Sequence, residues 1–271
     1  MAFSNFKSVI WSKFIQTELE KKCRLVEDCW TQFEGEAKQG ARVKIIGVGA
    51  PDIFDYVPGN GIPAPVAVEG TSIHLDIDQA KAFNFMIDDI DKAQSTSGLM
   101  EVLIREATAK MARTRDHFVA TLAKDADFCS ESTKVDSAAK AKALVDEALL
   151  VLRENDVDVE DNVSITVSPF FYHLFRDALT ELKTNNDELI SRGVAGMYDN
   201  CKVKMSNNLY NDGTDDYMLV RTNRAIAFAG GIDETEAYRP ESYFADAVKG
   251  LNVYGGKIVR PKELYVIKAH K

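Results

Sequence analysis

Three side chains that could bind a metal alternate along one predicted strand. His74, Asp76 and Asp78 share a face, because every second side chain of a strand points the same way. An imidazole beside two carboxylates is a plausible divalent-cation site. The isoleucine and leucine residues between them alternate as cleanly, however, and a strand with one buried face already accounts for that spacing. We therefore expect a solvated polar face and no metal.

A glycine pair could in principle bind a nucleotide. The run Val43-Lys-Ile-Ile-Gly47-Val-Gly49 resembles the strand and first two glycines of a dinucleotide fingerprint, in which a following helix binds the pyrophosphate at its N terminus. Here Asp52 places a carboxylate where the diphosphate would lie. Pro51 and Pro58 replace the helix. We expect no cofactor, and a nucleotide-dependent enzyme is kept only as an alternative from another functional class.

Two further groups resemble sites in composition alone. Ser168 and His173 could act as nucleophile and base, but no G-x-S-x-G surrounds Ser168. A serine followed by proline is typical of a helix start, so an N-cap role is expected. The stretch 211–216 is rich in calcium ligands but lacks the twelve-residue loop with its closing glutamate. It is predicted to be a turn, and the sequence predicts no catalytic residue and no enzyme.

Composition narrows the class of protein. The formal net charge is −9, which argues against a dedicated nucleic-acid-binding protein. No apolar run approaches the roughly 20 residues that span a bilayer, so no membrane partner is expected. The first residues lack the layout of a signal peptide. The four cysteines are scattered, which fits a reducing cytoplasm.

An apolar stripe predicts a long amphipathic helix near the N terminus. Its members recur at steps of three and four, which keeps them on one face. They are Trp11, Ile15, Leu19, Cys23, Val26, Trp30 and Phe33.

A pair of strands should enclose a long loop. Residues 42–46 and 71–77 alternate between polar and apolar side chains, which predicts two strands. The stretch 47–70 between them contains Pro51, Pro58, Pro63 and Pro65, four of the chain's seven prolines. Loops of this length are usually functional, and a two-stranded ribbon is marginally stable by itself in water. We expect this arm to be stabilised by another subunit.

The remaining elements alternate between helices and short strands. Helices are predicted over 99–124, 138–154 and 170–179, the first forming a structural beam, and strands over 83–87, 162–167, 201–205, 217–220, 225–229 and two C-terminal runs separated by Pro261.

Several stretches carry a likeness to a known family. They are Val167-Ser-Pro-Phe-Phe-Tyr-His-Leu174, Val203-Lys-Met-Ser-Asn-Asn-Leu209, Asn223-Arg-Ala-Ile-Ala-Phe-Ala229, Val253-Tyr-Gly-Gly-Lys-Ile-Val-Arg-Pro261 and the blocks 14–44 and 83–94. Taken in order, they resemble a tailed-bacteriophage major capsid protein of the Hong Kong 97 type. The likeness spans nearly the whole chain.

The resemblance implies an α+β fold with a discontinuous domain plan. Residues 1–40 would be an N-arm with the amphipathic helix, and residues 41–82 an extended E-loop that reaches over a neighbouring subunit. Residues 83–133 and 232–271 would form the peripheral domain, with a spine helix at about 99–124. Residues 134–231 would form the axial domain.

The resemblance also implies a function and its partners. The chain would self-assemble into hexamers and pentamers of an icosahedral head shell that encloses double-stranded DNA without sequence-specific binding. Assembly would take place in the bacterial host cytoplasm with a separate scaffolding protein and a portal. The alternative is an encapsulin-like cellular nanocompartment shell. The expected contacts between subunits are Trp11, Ile15, Leu19, Trp30, Phe33, Ile53, Phe54, Tyr56 and Val57. Residues 45–80 contain no lysine, so the isopeptide cross-link of the family's type member has no donor there.

Overall fold

Two larger sheets, a two-stranded ribbon and one long helix organise the described part of the chain. The computed structural model describes residues 23–32, 42–48, 70–89, 99–157, 162–181 and 197–271. The helices are α1 (Leu99–Thr121), α2 (Ala138–Glu154) and α3 (Pro169–Glu181). The strands are β1 (Arg42–Val48), β2 (Gly70–Asp76), β3 (Gln79–Asp88), β4 (Thr133–Lys134), β5 (Ser164–Val167), β6 (Met197–Tyr198), β7 (Cys201–Met205), β8 (Tyr210–Asn211), β9 (Asp216–Arg221), β10 (Ile226–Tyr238), β11 (Ala245–Ile258) and β12 (Leu264–His270).

The larger sheet holds most of the core. Its strand order is β4-β12-β9-β5-β7-β6, with β8 paired to β9. All four residues of β5 are buried, which is expected of a short central strand covered on both faces. The apolar face of α2 packs on this sheet, and the rings of Phe171 and Phe175 from α3 are fully buried in the same cluster.

Helix α1 is the beam that the sequence predicts. Its 23 residues span about 35 Å at 1.5 Å per residue. Met111, Ala112 and Val119 are buried along one side. The Phe118 ring lies 5.4 Å from the Tyr254 ring of β11, edge to face, so the helix also supports the second sheet.

The second sheet is a long antiparallel ribbon with a third strand. Its order is β10-β11-β3, with β11 in the centre. The register pairs Ile226 with Ile258 at one end and Tyr238 with Ala247 at the other. The pairing therefore continues well beyond residue 229, where the predicted strand ended.

The paired strands β1 and β2 form a separate two-stranded ribbon, as predicted. They pair in antiparallel register from Arg42–Asp76 to Val48–Gly70. Val43, Ile45 and Leu75 are buried against Ala227 and Ala229 of β10. The ribbon thus has an intrachain support that the sequence did not reveal.

A glycine allows the chain to cross this support closely. A Cβ atom at Gly255 would lie 2.1 Å from the Asp76 carbonyl oxygen and 2.9 Å from the Ile77 Cα. Real Cβ atoms do not approach backbone so closely, so glycine is required for β11 to pass beneath the end of β2.

The prediction of a continuous N-terminal helix is wrong for residues 23–32. This segment contains only a short 3₁₀ turn, Val26–Asp28, and then an isolated bridge between Trp30 and Ala227. Cys23 and Val26 of the predicted stripe are buried within their own chain. Their spacing of three residues reflects this burial and not a helical stripe.

The other predicted elements in the described residues are confirmed. The α2 helix starts after Ser137, whose side chain accepts a hydrogen bond from the Lys140 N–H at 3.5 Å. Pro261 separates the two C-terminal strands within a 3₁₀ turn.

Candidate assembly surfaces

The residues that could have bound a metal or a nucleotide do not form a site. His74, Asp76 and Asp78 are all exposed, and Asp76 pairs with Arg42. Among the described residues, no group of three His, Cys, Asp or Glu side chains could hold a metal ion. Gly47 lies in the antiparallel β1–β2 ribbon, whereas a dinucleotide fingerprint requires a parallel βαβ unit. The dinucleotide alternative is therefore wrong.

The other two candidate groups have structural roles. Ser168 is buried, and its hydroxyl lies 3.9 Å from the Met218 sulfur, whereas His173 is exposed. In the 211–216 turn, the Asp212 carboxylate accepts the N–H groups of Thr214 at 2.9 Å and Asp215 at 2.8 Å. These backbone bonds are the largest cause that lowers the pKa of Asp212.

A buried polar network holds the N-terminal segment on the core. Asp116 of α1 accepts the backbone N–H groups of Arg24 and Leu25, each at 3.0 Å, and of Val26 at 3.3 Å. Burial raises the pKa of Asp116, and these hydrogen bonds oppose that rise. A carboxylate from the beam thus satisfies the donors of a short turn that is about ninety positions away in sequence.

A fully buried arginine completes the network from the other side. Arg221 of β9 donates to the Leu25 carbonyl at 2.6 Å and to the Cys29 sulfur at 3.1 Å. Burial raises the pKa of the Cys29 thiol, although Arg221 opposes that rise. The segment is therefore held by two buried side chains, Asp116 of α1 and Arg221 of β9. Neither Asp116 nor Arg221 was singled out from the sequence. Asp116 lies among the charged residues Arg113 and Arg115, where its neighbours in sequence do not distinguish it from a solvated carboxylate.

Trp30 is the one expected contact residue that lies within the described ranges. Its N–H donates to the Ile226 carbonyl at 2.8 Å, and its carbonyl accepts the Phe228 N–H at 3.0 Å. The Arg260 guanidinium lies over the half-buried Trp30 ring, 5.8 Å from its centre. The other expected contacts, Trp11, Ile15, Leu19, Phe33, Ile53, Phe54, Tyr56 and Val57, lie outside the described residues.

The turn that joins β10 to β11 exposes two aromatic side chains. Phe244 is 82% exposed and Tyr243 is 58% exposed. Arg239 pairs with Asp89, and the Asp89 N–H donates to the Phe244 carbonyl at 2.9 Å. We call residues 239–244 the aromatic tip. Adjacent aromatic residues in a turn that contains proline and serine are the sequence signal for this exposed patch.

A cavity lies at the opposite end of the same ribbon. Its volume is about 680 Å³, and its lining includes Phe128, Val157 and Pro261 together with the polar residues Asn155 and Lys262. The Asn155 side-chain nitrogen is buried and has no acceptor among the described residues. We call this cavity the basal pocket.

No helix in the described ranges is long and apolar enough to cross a membrane.

Comparison with solved structures identifies the fold. A structure from Mycobacterium phage Che8 matches with a TM-score of 0.74 and 26% sequence identity, covering 90% of each chain. A capsid structure of cyanophage P-SCSP1u matches with a TM-score of 0.65 at 17% identity, covering 86% of this chain and 84% of that one. The chain has the fold of phage major capsid proteins. Neither a family model nor a curated protein sequence matches it.

The same fold is found in a virus-like particle. A virus-like particle from Pyrococcus furiosus matches with a TM-score of 0.60 at 12% identity, covering 93% of this chain and 95% of that one. These values describe a shared fold. They are lower in both TM-score and identity than those of the mycobacteriophage structure.

Proposed function

We propose that this chain is the major capsid protein of a tailed bacteriophage. The observation that carries this proposal is the match to the Che8 structure over 90% of both chains at a TM-score of 0.74. The role is structural. His74 and Asp78 are exposed, and Asp76 pairs with Arg42. Asp212 accepts hydrogen bonds from the backbone of its own turn.

The partners follow from that role. Copies of the chain would associate as hexamers and pentamers of an icosahedral head shell enclosing double-stranded DNA, with a scaffolding protein and a portal during assembly in the host cytoplasm. The net charge of −9 suits a wall of this kind. Many lysine or arginine contacts to phosphate would bind the genome strongly and in a salt-dependent way, whereas a wall needs only to enclose it.

We propose a domain plan of the Hong Kong 97 type. The ribbon β1–β2 would be the base of an E-loop spanning residues 41–82, and residues 1–40 would be the N-arm. Helix α1 would be the spine of a peripheral domain that also contains β3, β10 and β11. In support, α1 contacts β11 through the Phe118–Tyr254 pair.

We propose one domain boundary other than the one expected from the sequence. The sequence assigned all of 232–271 to the peripheral domain, but β12 pairs with β9 from Leu264–Arg221 to Ala269–Asp216 in the larger sheet. We therefore propose that 264–270 belong to the axial domain together with 134–225, so that β10, which begins at Ile226, lies wholly in the peripheral domain.

Particle contents distinguish this function from its closest alternative. The similarity to the Pyrococcus furiosus particle keeps a cellular nanocompartment shell as the second candidate. Particles purified from the native source should be treated with nuclease and then opened. Protected double-stranded DNA of genome length supports the phage head, whereas a packaged cargo protein without such DNA supports the nanocompartment.

A further inference from the structure

Four buried polar atoms at one face of the larger sheet have no hydrogen-bond partner among the described residues. They are the hydroxyl oxygens of Ser164 and Thr166 in β5, the Nε of Arg221 in β9, and Oδ2 of Asp28. Ser164 and Thr166 are each 2% exposed, and Arg221 is fully buried. Proteins rarely leave buried polar atoms unpaired, so several of them together point to a bound molecule.

The strand register places these side chains next to one another. Ser164 is paired with Arg221 where β5 meets β9. Thr166 is paired with Lys204 where β5 meets β7. Paired residues of adjacent strands point to the same face about 4.8 Å apart, and residues two apart in a strand share a face at a spacing of about 6.6 Å. The two hydroxyls are therefore too far apart to bond each other, but one small molecule between them can reach both.

The N-terminal segment covers this part of the sheet. Arg221 donates to the Leu25 carbonyl at 2.6 Å. Lys204 donates to Oδ1 of Asp28 at 2.8 Å, and the side chains of this ion pair are only 16% and 15% exposed. Because Lys204 is the register partner of Thr166, the ion pair brings Oδ2 of Asp28 to the side of the patch on which Thr166 lies.

The chemistry of the four atoms selects the ligand. The Arg221 Nε–H can only donate a hydrogen bond, and an ionised Asp28 oxygen can only accept one. A halide ion cannot donate to Asp28, and a metal cation cannot accept from Arg221. A water molecule does both, and it can bond a serine or threonine hydroxyl in either direction.

We propose that this patch binds a small cluster of water molecules that joins the N-terminal segment to the sheet. We call Asp28, Ser164, Thr166 and Arg221 the hydrated seam. A buried water molecule makes about three hydrogen bonds, so about two molecules satisfy the four atoms and bond each other. The inference does not depend on the proposed function, because every member of the seam belongs to one chain.

The seam gives β5 a part in holding a segment that its hydroxyls do not bond directly. A water-mediated hydrogen bond is nearly as favourable as a direct one. The segment is then held by the seam as well as by Asp116 and by the ion pair of Lys204 with Asp28. Removing one hydroxyl from β5 should therefore loosen the residues around Asp28.

The variant Thr166→Val distinguishes a hydrated hydroxyl from a dry one, because valine replaces the hydroxyl by a methyl group of similar size. If the hydroxyl bonds water, its loss should raise the unfolding equilibrium constant of the full-length chain in urea by about two- to tenfold. Removing a dry hydroxyl has the opposite sign, because burying a hydroxyl without a partner is itself destabilising. A Thr166→Val chain as stable as the parent, or more stable, would overturn the inference.

Hydrogen exchange locates the effect. The Cys29 and Trp30 amides donate to the carbonyls of Val26 and Ile226, and both should exchange faster in Thr166→Val. The control is Thr214→Val, a change at an exposed threonine, which should alter the unfolding constant by less than about twofold. If Thr166→Val loses stability but protects these two amides as the parent does, the hydroxyl does not hold the segment and the inference fails.

A density map identifies the ligand. A map of the parent chain that resolves ordered water should show density within hydrogen-bond distance of both Asp28 Oδ2 and the Thr166 hydroxyl. Samples prepared with chloride and with gluconate as the only anion should give the same density and the same stability. Density that disappears without chloride would assign the site to a halide, and a seam without density in a map that shows water elsewhere would also overturn the inference.

Discussion

Replacing Asp116 with alanine should release the N-terminal segment from the core. Asp116 accepts three backbone N–H groups, from Arg24, Leu25 and Val26, and is fully buried. A hydrogen bond to a charged group contributes about 1.5–3 kcal/mol, and leaving its donors buried and unpaired adds a desolvation cost. Because the three bonds act as one unit, we expect a total loss of about 3–5 kcal/mol, similar to breaking a buried charged pair.

Hydrogen exchange and denaturation together locate this loss. The free energy of unfolding of unassembled Asp116→Ala should fall by that amount in urea. The amides of Leu25 and Val26 should exchange faster, and trypsin should cleave after Arg24. Asp116→Asn, which retains one carbonyl acceptor, should show a smaller effect.

Asp125 provides the control, since it is an exposed carboxylate just beyond the same helix. Asp125→Ala should change stability by no more than about 0.5 kcal/mol. If Asp116→Ala lowers the free energy of unfolding no more than Asp125→Ala does, and the Leu25 amide stays protected from exchange, the network does not anchor the segment.

Four further outcomes are expected. Gly255→Ala should destabilise the chain by about 1–3 kcal/mol, because its Cβ would meet the Asp76 carbonyl; an unchanged melting temperature would contradict that close contact. Trp30→Asp should fold, since Trp30 binds β10 through its backbone, but it should assemble less well; normal assembly would remove Trp30 from the list of contacts. Mature particles boiled in denaturant should run as a monomer of 30.1 kDa, because residues 45–80 lack lysine; a covalent ladder that survives reduction would disprove this. Shortening residues 52–69 to a Gly-Ser link should preserve the circular dichroism but prevent shell closure; normal shells would show that the loop is not a clamp between subunits.

The elements with a clear local period were predictable from the sequence. The alternation in β2 and in residues 83–87 and the alanine- and leucine-rich run of α2 each follow one period. The first four residues of β3, 79–82, were not part of the predicted strand. The Ser-Pro start of α3 and the break at Pro261 were equally local, because proline restricts its own backbone and that of its neighbour.

The errors arose where distant residues decide the local structure. Cys23, Val26 and Trp30 have helical spacing, but Asp116 and Arg221 bind the backbone of this segment and favour a tight turn. The sequence also did not reveal that β1 and β2 pack on Ala227 and Ala229. Alanine residues in a strand do not indicate which other element will pack on them. Both features depend on contacts between positions about ninety to two hundred apart.

Electron cryomicroscopy of the purified, expressed chain tests the central claim most directly. Closed, hollow shells built from hexamers and pentamers are expected, in which the loop between β1 and β2 of each subunit reaches a neighbour while the ribbon itself stays on its own β10. Contradiction would come from a chain that remains a folded monomer at every concentration and ionic strength tested, or that forms only open filaments without fivefold vertices.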